Sequence, residues 1–203
     1  MGCVPVTINW QADDNEDILD KATVTASKLL IYDKDFTSRI EEMKSSLLSK
    51  SFLEVEKIEA YQPTNDWAYP TLGYDDEKMI IFTSGTTGKP KGVSLSHRSY
   101  LTNRLTFEQY FRVSETTRLD LLLVNPLHHT NSTALSDWGM RRSGTKIHLL
   151  QRYSTVYWKV LVEIVRSKRD LLIAPMVSRH IDFLEALSTQ SELPVEEDKI
   201  KEA

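Results

Sequence analysis

Residues 79–93 read Met-Ile-Ile-Phe-Thr-Ser-Gly-Thr-Thr-Gly-Lys-Pro-Lys-Gly-Val. Met79 to Phe82 are large and apolar and are bounded by polar residues, which predicts a buried strand. The following hydroxyls, glycines and lysines cannot continue it. Gly85, Gly88 and Gly92 permit positive φ and close approach of backbone amides to a ligand. Thr83, Ser84, Thr86 and Thr87 add hydroxyl donors, and Lys89 and Lys91 add positive charge. Amides, hydroxyls and ammonium groups on one turn form an anion site whose natural occupant is a polyphosphate. The Walker pattern fails, because four residues beyond Gly85 come Lys89 and then Pro90. The plainer alternative is a flexible Gly/Ser/Thr turn with chance lysines.

Outward from this stretch, strand and helix patterns alternate. On its amino-terminal side, residues 3–8 predict a strand, and Ile18, Leu19, Ala22 and Ala26 a helix after Asp13 and Asp14. Residues 28–32 predict a second strand, Phe36, Ile40, Met43 and Leu47 a second helix, and residues 52–58 a third strand. Residues 60–76, with Pro63, Pro70 and Gly73, read as a loop, and Asp75, Asp76 and Glu77 as a solvated turn. On the carboxyl-terminal side, Ser96 is expected to cap a helix with Leu101, Leu105, Glu108 and Phe111 on one side, placing the loop between strand and helix. Residues 119–124 predict a buried strand, 133–140 a short helix and 146–150 a strand. Ser154 caps a helix with Tyr157, Val160, Leu161, Ile164 and Val165 inward. Residues 170–174 predict a last strand, and Pro175 starts a helix. The fold class is therefore α/β, mainly parallel layered sheets with flanking helices.

The 203 residues are 40% hydrophobic and 27% charged, with a formal charge of −4. That balance favours neither a disordered chain nor a nonspecific nucleic-acid binder. Cys3 is the one cysteine, so no internal disulfide forms and a reducing compartment fits. No apolar run approaches the roughly 18 residues of a membrane span, and the amino terminus lacks signal-peptide features. The expected location is cytoplasmic. Cys3, His97, His148 and His180 stand singly and read as structural.

Residues 83–92, TSGTTGKPKG, closely resemble the phosphate-loop signature of the AMP-forming adenylating enzymes: acyl-CoA synthetases, luciferases and peptide-synthetase adenylation domains. In that family the loop holds the ATP phosphates while a carboxylate attacks the α-phosphate. The resemblance thus assigns Thr83, Ser84, Gly85, Thr86, Thr87, Gly88, Lys89, Lys91 and Gly92 to nucleotide binding. It implies ATP and Mg2+ as cofactors, and ATP, a carboxylic acid and CoA as partners. Residues 125–131, Asn-Pro-Leu-His-His-Thr-Asn, resemble a second family landmark in which a histidine borders the acyl and thiol channel. By that match the histidine is His129, with His128 in place of the usual aromatic. Without the family, the pair reads as histidines in a polar turn. No metal ligand is assigned.

Members of the family are much longer chains, so the resemblance implies an internal piece of the N-terminal region. It implies a first α/β layer over residues 1–112 and a partial second subdomain over 113–203. The family's downstream Gly-x-Thr-Glu segment, its Tyr-x-Thr-Gly-Asp segment and its catalytic lysine do not follow residues 83–92. The favoured expectation is a fragment of an ATP-dependent carboxylic acid:CoA ligase, inactive alone, and no catalytic residue is assigned. One alternative is half of a split ligase completed by a complementary polypeptide. Another is a nonenzymatic nucleotide or pyrophosphate binder. Sheet edges left uncovered would promote self-association.

Overall fold

The computed structural model describes residues 2–47, 50–61, 70–83 and 90–189. It divides into two compact units, Met1–Ser99 and Tyr100–Ala203.

In the first unit, helix α1 (Asn15–Val24) opens on a capping box in which Asp14 and Asp17 satisfy each other's backbone N–H groups. Strand β1 (Leu29–Tyr32), helix α2 (Thr37–Lys44) and strand β2 (Ser51–Glu54) follow, and β1 and β2 pair in parallel from Leu29↔Ser51 to Tyr32↔Glu54. Ile18 and Ala22 of α1, Ile40 and Met43 of α2, and Leu47 are buried together, and Leu30, Tyr32 and Phe52 pack on them. The strand expected over residues 52–58 stops at Glu54, and Val55–Ala60 forms a 3-10 helix. Phe52, Val55 and Ile58 recur every three residues, which is the 3-10 period and not the two-residue period of a strand.

Strands β3 (Glu77–Thr83) and β4 (Lys91–Ser96) form an antiparallel hairpin in which Phe82 faces Gly92 and Thr83 faces Lys91. The expected passage from strand through loop to helix is therefore corrected: a second strand intervenes, made by the alternating Val93-Ser94-Leu95-Ser96. Helix α3 (His97–Tyr110) begins after it, with the Ser99 N–H donating to Ser96 Oγ at 3.2 Å. The strand expected at residues 3–8 is reduced to one bridge, Val6↔Ile80. Its bonds run from Thr7 N to Ile80 O (3.1 Å) and from Ile80 N to Pro5 O (2.9 Å). Pro5 has no N–H with which to extend a ladder.

In the second unit, strands β5 (Leu119–Leu123), β6 (Thr145–Leu149) and β7 (Leu171–Ile173) make a parallel sheet in the order β6-β5-β7. Every β5 residue is buried. Leu119, Leu121 and Leu123 pack on Leu135 and Trp138 of helix α4 (Thr130–Met140). Leu122 and Val124 pack on Tyr157, Trp158 and Ile164 of helix α5 (Thr155–Arg166). The two-residue period of the strand thus puts one helix on each face. Ser154 caps α5 through a bond from Val156 N. A Cβ on Gly139 would come 2.7 Å from Leu121 Cδ1 and 2.9 Å from Ile147 Cδ1, so its absence lets α4 lie close to the sheet.

One helix face and one helix start are corrected. Leu101 and Leu105 of α3 are exposed, while Tyr100 is buried and Phe107 packs beside Trp138. Glu108 does point inward, where it accepts from Trp138 Nε1 at 3.1 Å and from Arg104 Nε at 2.9 Å. Helix α6 (Ser178–Thr189) starts three residues after Pro175, where His180 N donates to Val177 O.

Candidate functional site

Of the residues expected to hold phosphate, Thr83, Lys91 and Gly92 lie on the hairpin, whereas Ser84, Gly85, Thr86, Thr87, Gly88 and Lys89 lie outside the described residues. Thr83 and Lys91 are exposed and paired across the ladder, and Thr83 Oγ1 donates to Lys91 O at 3.4 Å. Their pairing brings both ends of the glycine-rich stretch to one edge. Gly92 does not use the positive φ that glycine permits; the described glycines that do are Gly2 and Gly144. A Cβ on Gly92 would stand 3.1 Å from Phe82 Cζ and 3.2 Å from Ile80 Cγ2, so its need is for space.

The acidic run before β3 lies exposed at a turn, as expected, and is also bonded into the hairpin's base. Arg98 grips Asp75 with two bonds, Nε to Oδ1 at 2.7 Å and Nη2 to Oδ2 at 2.9 Å. Those bonds hold the Asp75 carboxyl below the ordinary carboxylate range. Asp76 accepts from Gly73 N at 2.6 Å, and its carbonyl accepts from His97 N. Glu77 accepts from Ser94 Oγ at 2.8 Å, joining β3 to β4.

Sequence reasoning missed the pair beneath the hairpin. Lys21 is 5% exposed, forms a salt bridge with the buried Asp13 carboxylate, and lies 5.1 Å from the centroid of the Phe82 ring. The two residues are eight apart in the chain, across a turn and a cap, where no periodicity advertises them.

His129 lies in the second unit as the N-cap of α4, at φ −94° and ψ 144°, and its side chain makes no capping bond. The His128 and His129 rings stand 4.4 Å apart, tilted by 47°. They follow the carboxyl end of β5, the end at which open α/β sheets bind ligands. Ser132 Oγ donates to Asn125 O at 2.9 Å, and Asn125 Nδ2 reaches Pro175 O at 3.5 Å, linking the turn after β5 to the segment after β7.

His148 and His180 have structural partners, as expected. His148 Nε2 meets Asp120 Oδ1 at 2.7 Å. His180 stacks on Tyr153 at 4.0 Å, and burial lowers its pKa.

An apolar concavity of about 290 Å3 in the first unit, with Ile8, Trp10, Ile31 and Phe36 in its wall, contains none of the expected site residues. Among the described residues, no three His, Cys, Asp or Glu side chains group to hold a metal. No helix among them is long and apolar enough to cross a membrane.

A family model described as AMP-binding enzyme matches residues 1–192. The chain is 26% identical over 189 residues to tyrocidine synthase 1 of Brevibacillus parabrevis, covering 89% of this chain and 16% of that protein. Among solved structures, it is similar to the inhibitor-bound N-terminal domain of FACL13 from Mycobacterium tuberculosis. There the TM-score is 0.77 and the identity 22%, over 94% of this chain and 47% of that one. It is also similar to o-succinylbenzoate CoA synthetase from Bacillus subtilis in complex with the acyl-adenylate intermediate. That match has a TM-score of 0.74 and 20% identity, over 90% of this chain and 45% of that one. The chain thus spans less than half the length of each of these three proteins.

Proposed function

The chain belongs to the AMP-binding enzyme family, and from that premise we propose that it contributes the phosphate-binding part of an ATP-dependent, AMP-forming carboxylic acid:CoA ligase. Bound ATP supplies an electrophilic α-phosphorus: a carboxylate oxygen bonds to it as the bond to the bridging oxygen breaks, and pyrophosphate leaves. In this reading the chain's own residues bind and orient. Lys89 and Lys91 balance phosphate charge, the hydroxyls of Thr83, Ser84, Thr86 and Thr87 donate to phosphate oxygens, and Gly85 and Gly88 admit the backbone amides. Gly92 keeps the carboxyl-terminal arm of the hairpin against Phe82. His129 borders the path of acid and thiol. No step is assigned to Mg2+.

The observation that carries this reading is the pairing of Thr83 with Lys91, which brings both ends of a TSGTTGKPKG stretch to the open edge of a hairpin. Binding of ATP or pyrophosphate, measured by calorimetry and thermal shift, tests it: a shift in the wild type that Lys91→Ala abolishes is expected. A melting point that neither ligand moves would sink it. Pyrophosphate exchange with ATP and a panel of carboxylic acids is expected to be absent for the chain alone, whether it is a ligase fragment or a nonenzymatic binder.

A second reading, completion by a complementary polypeptide, is favoured by the β1–β2 sheet. Parallel sheets are normally covered on both faces, yet Leu29 and Ile31 are 46% and 57% exposed on the face away from α1 and α2. Exchange activity that appears only when the adenine- and ribose-binding segments are added as a separate chain would support it.

A further inference from the structure

We propose that Lys21 is a positioning residue for the phosphate hairpin, acting through Phe82 and through Asp13. The inference rests on reading the hairpin as the phosphate site, and its geometry lies wholly within the first unit. A lysine that is 5% exposed is expensive unless its charge is met. Here two groups meet it: the Asp13 carboxylate, whose side chain is 8% exposed, and the Phe82 ring, whose centroid is 5.1 Å from Nζ.

Both partners lead to strand β3. Phe82 immediately precedes Thr83, and its ring, with Ile80, crowds the position a Cβ on Gly92 would take, so its placement bears on how closely β4 lies against β3. Asp13 Oδ2 also accepts from Asn9 N at 2.7 Å, and thereby anchors the segment whose Pro5 and Thr7 bond to Ile80. One buried ammonium thus reaches β3 by two routes, from a helix that precedes the hairpin by more than fifty residues. The combination points to a device that fixes Phe82 and Thr83 at the end of β3.

The test uses the full chain and two readouts, amide hydrogen exchange and calorimetric titration with ATP and with inorganic pyrophosphate. The Lys21→Met/Asp13→Asn double variant removes both charges without stranding either, and Phe82→Leu removes the ring while the ion pair stays. In both, the amides of Ile80, Phe82 and Val93 are expected to exchange about tenfold faster while those of β5 and α5 are unchanged. ATP should bind about three- to tenfold more weakly. Lys21→Arg, which keeps charge, ring contact and carboxylate contact, should restore both readouts. Unchanged exchange in the hairpin, or an equal loss of protection throughout both units, overturns the proposal, as does failure of Lys21→Arg to rescue. If the wild type takes up neither ATP nor pyrophosphate, the phosphate reading falls, while the exchange readout still decides whether Lys21 holds the hairpin.

Discussion

Gly92 faces Phe82 across the β3–β4 ladder at a distance that is tight for a methyl group: a Cβ would lie 3.1 Å from Phe82 Cζ and 3.2 Å from Ile80 Cγ2. Ile80 is β-branched and stiff, and Phe82 lies against the buried Lys21, so neither neighbour yields freely. Gly92→Ala is therefore expected to cost about 1 kcal/mol in urea unfolding, the lower end of the overpacking range, despite the better strand propensity of alanine. Exchange at Phe82 and Val93 should rise. A neutral or stabilised variant would show that the hairpin opens without cost, and that Gly92 does not set its closeness.

His129 occupies an N-cap without making a capping bond. An aspartate there would accept from the first-turn amides and complement the helix dipole, so His129→Asp is expected to stabilise the chain by about 1 kcal/mol. If His129 borders the path of the acid, the same change should lower any acid-dependent pyrophosphate exchange while ATP binding is unaffected. A stabilised variant with full exchange activity would leave the histidine no part in the chemistry.

What could be read from sequence follows from where the residues are buried. Leu119 to Val124 announced a strand covered on both faces because five of its six side chains are apolar, and Ser154 announced a helix because its cap is local. Strand β4 was hidden because Lys-Pro-Lys-Gly outweighs the four-residue alternation that follows. The inward side of α3 lies about one residue from Leu101 and Leu105, since it includes Tyr100 and Arg104, whose guanidinium meets Glu108. Hydropathy cannot register such pairing. Lys21 and Asp120 escaped notice for the same reason: each is a charge made tolerable by partners distant in the chain.

Tyr157 is fully buried, and its hydroxyl has no hydrogen-bond partner among the described residues. Removing an unsatisfied hydroxyl relieves a desolvation cost, so Tyr157→Phe is expected to be neutral or stabilising by about 1 kcal/mol. Burial pushes the phenol up from its ordinary 10.0 to about 12. The folded state therefore holds this proton more tightly than the unfolded one. The resulting stability is present below pH 10 and is lost as pH rises toward 12. Tyr153 is also raised by burial, so the contribution of Tyr157 is the difference between wild-type and Tyr157→Phe unfolding curves. An identical pH dependence in the two would overturn it.

The uncovered side of β1 carries the exposed Leu29 and Ile31, which lie outside the core cluster that Leu30 and Tyr32 join. Sedimentation velocity at increasing concentration is expected to show self-association of the isolated chain through this face. Ile31→Lys should reduce it at a stability cost within about 0.5 kcal/mol, because the side chain is already largely in water. A concentration-independent monomer would argue that the face tolerates exposure.

Asp120 is the polar member of β5, 1% exposed, and its two oxygens are held by His148 of β6 and by Arg169 just before β7. Arg169 also donates to Leu119 O at 3.0 Å and to Gly144 O at 2.7 Å, so one guanidinium joins the central strand to the turn before β6. Replacing the carboxylate by a methyl group leaves Arg169 half-buried beside an apolar sheet without its counter-charge. Asp120→Ala is therefore expected to lose about 3–5 kcal/mol, the cost of breaking a buried pair from one side. Asp120→Asn retains an acceptor and should lose less. Chemical unfolding of the two variants decides the matter: equal losses would mean that charge and not hydrogen bonding binds the three strands, and a loss below about 1 kcal/mol would mean that Arg169 finds water instead.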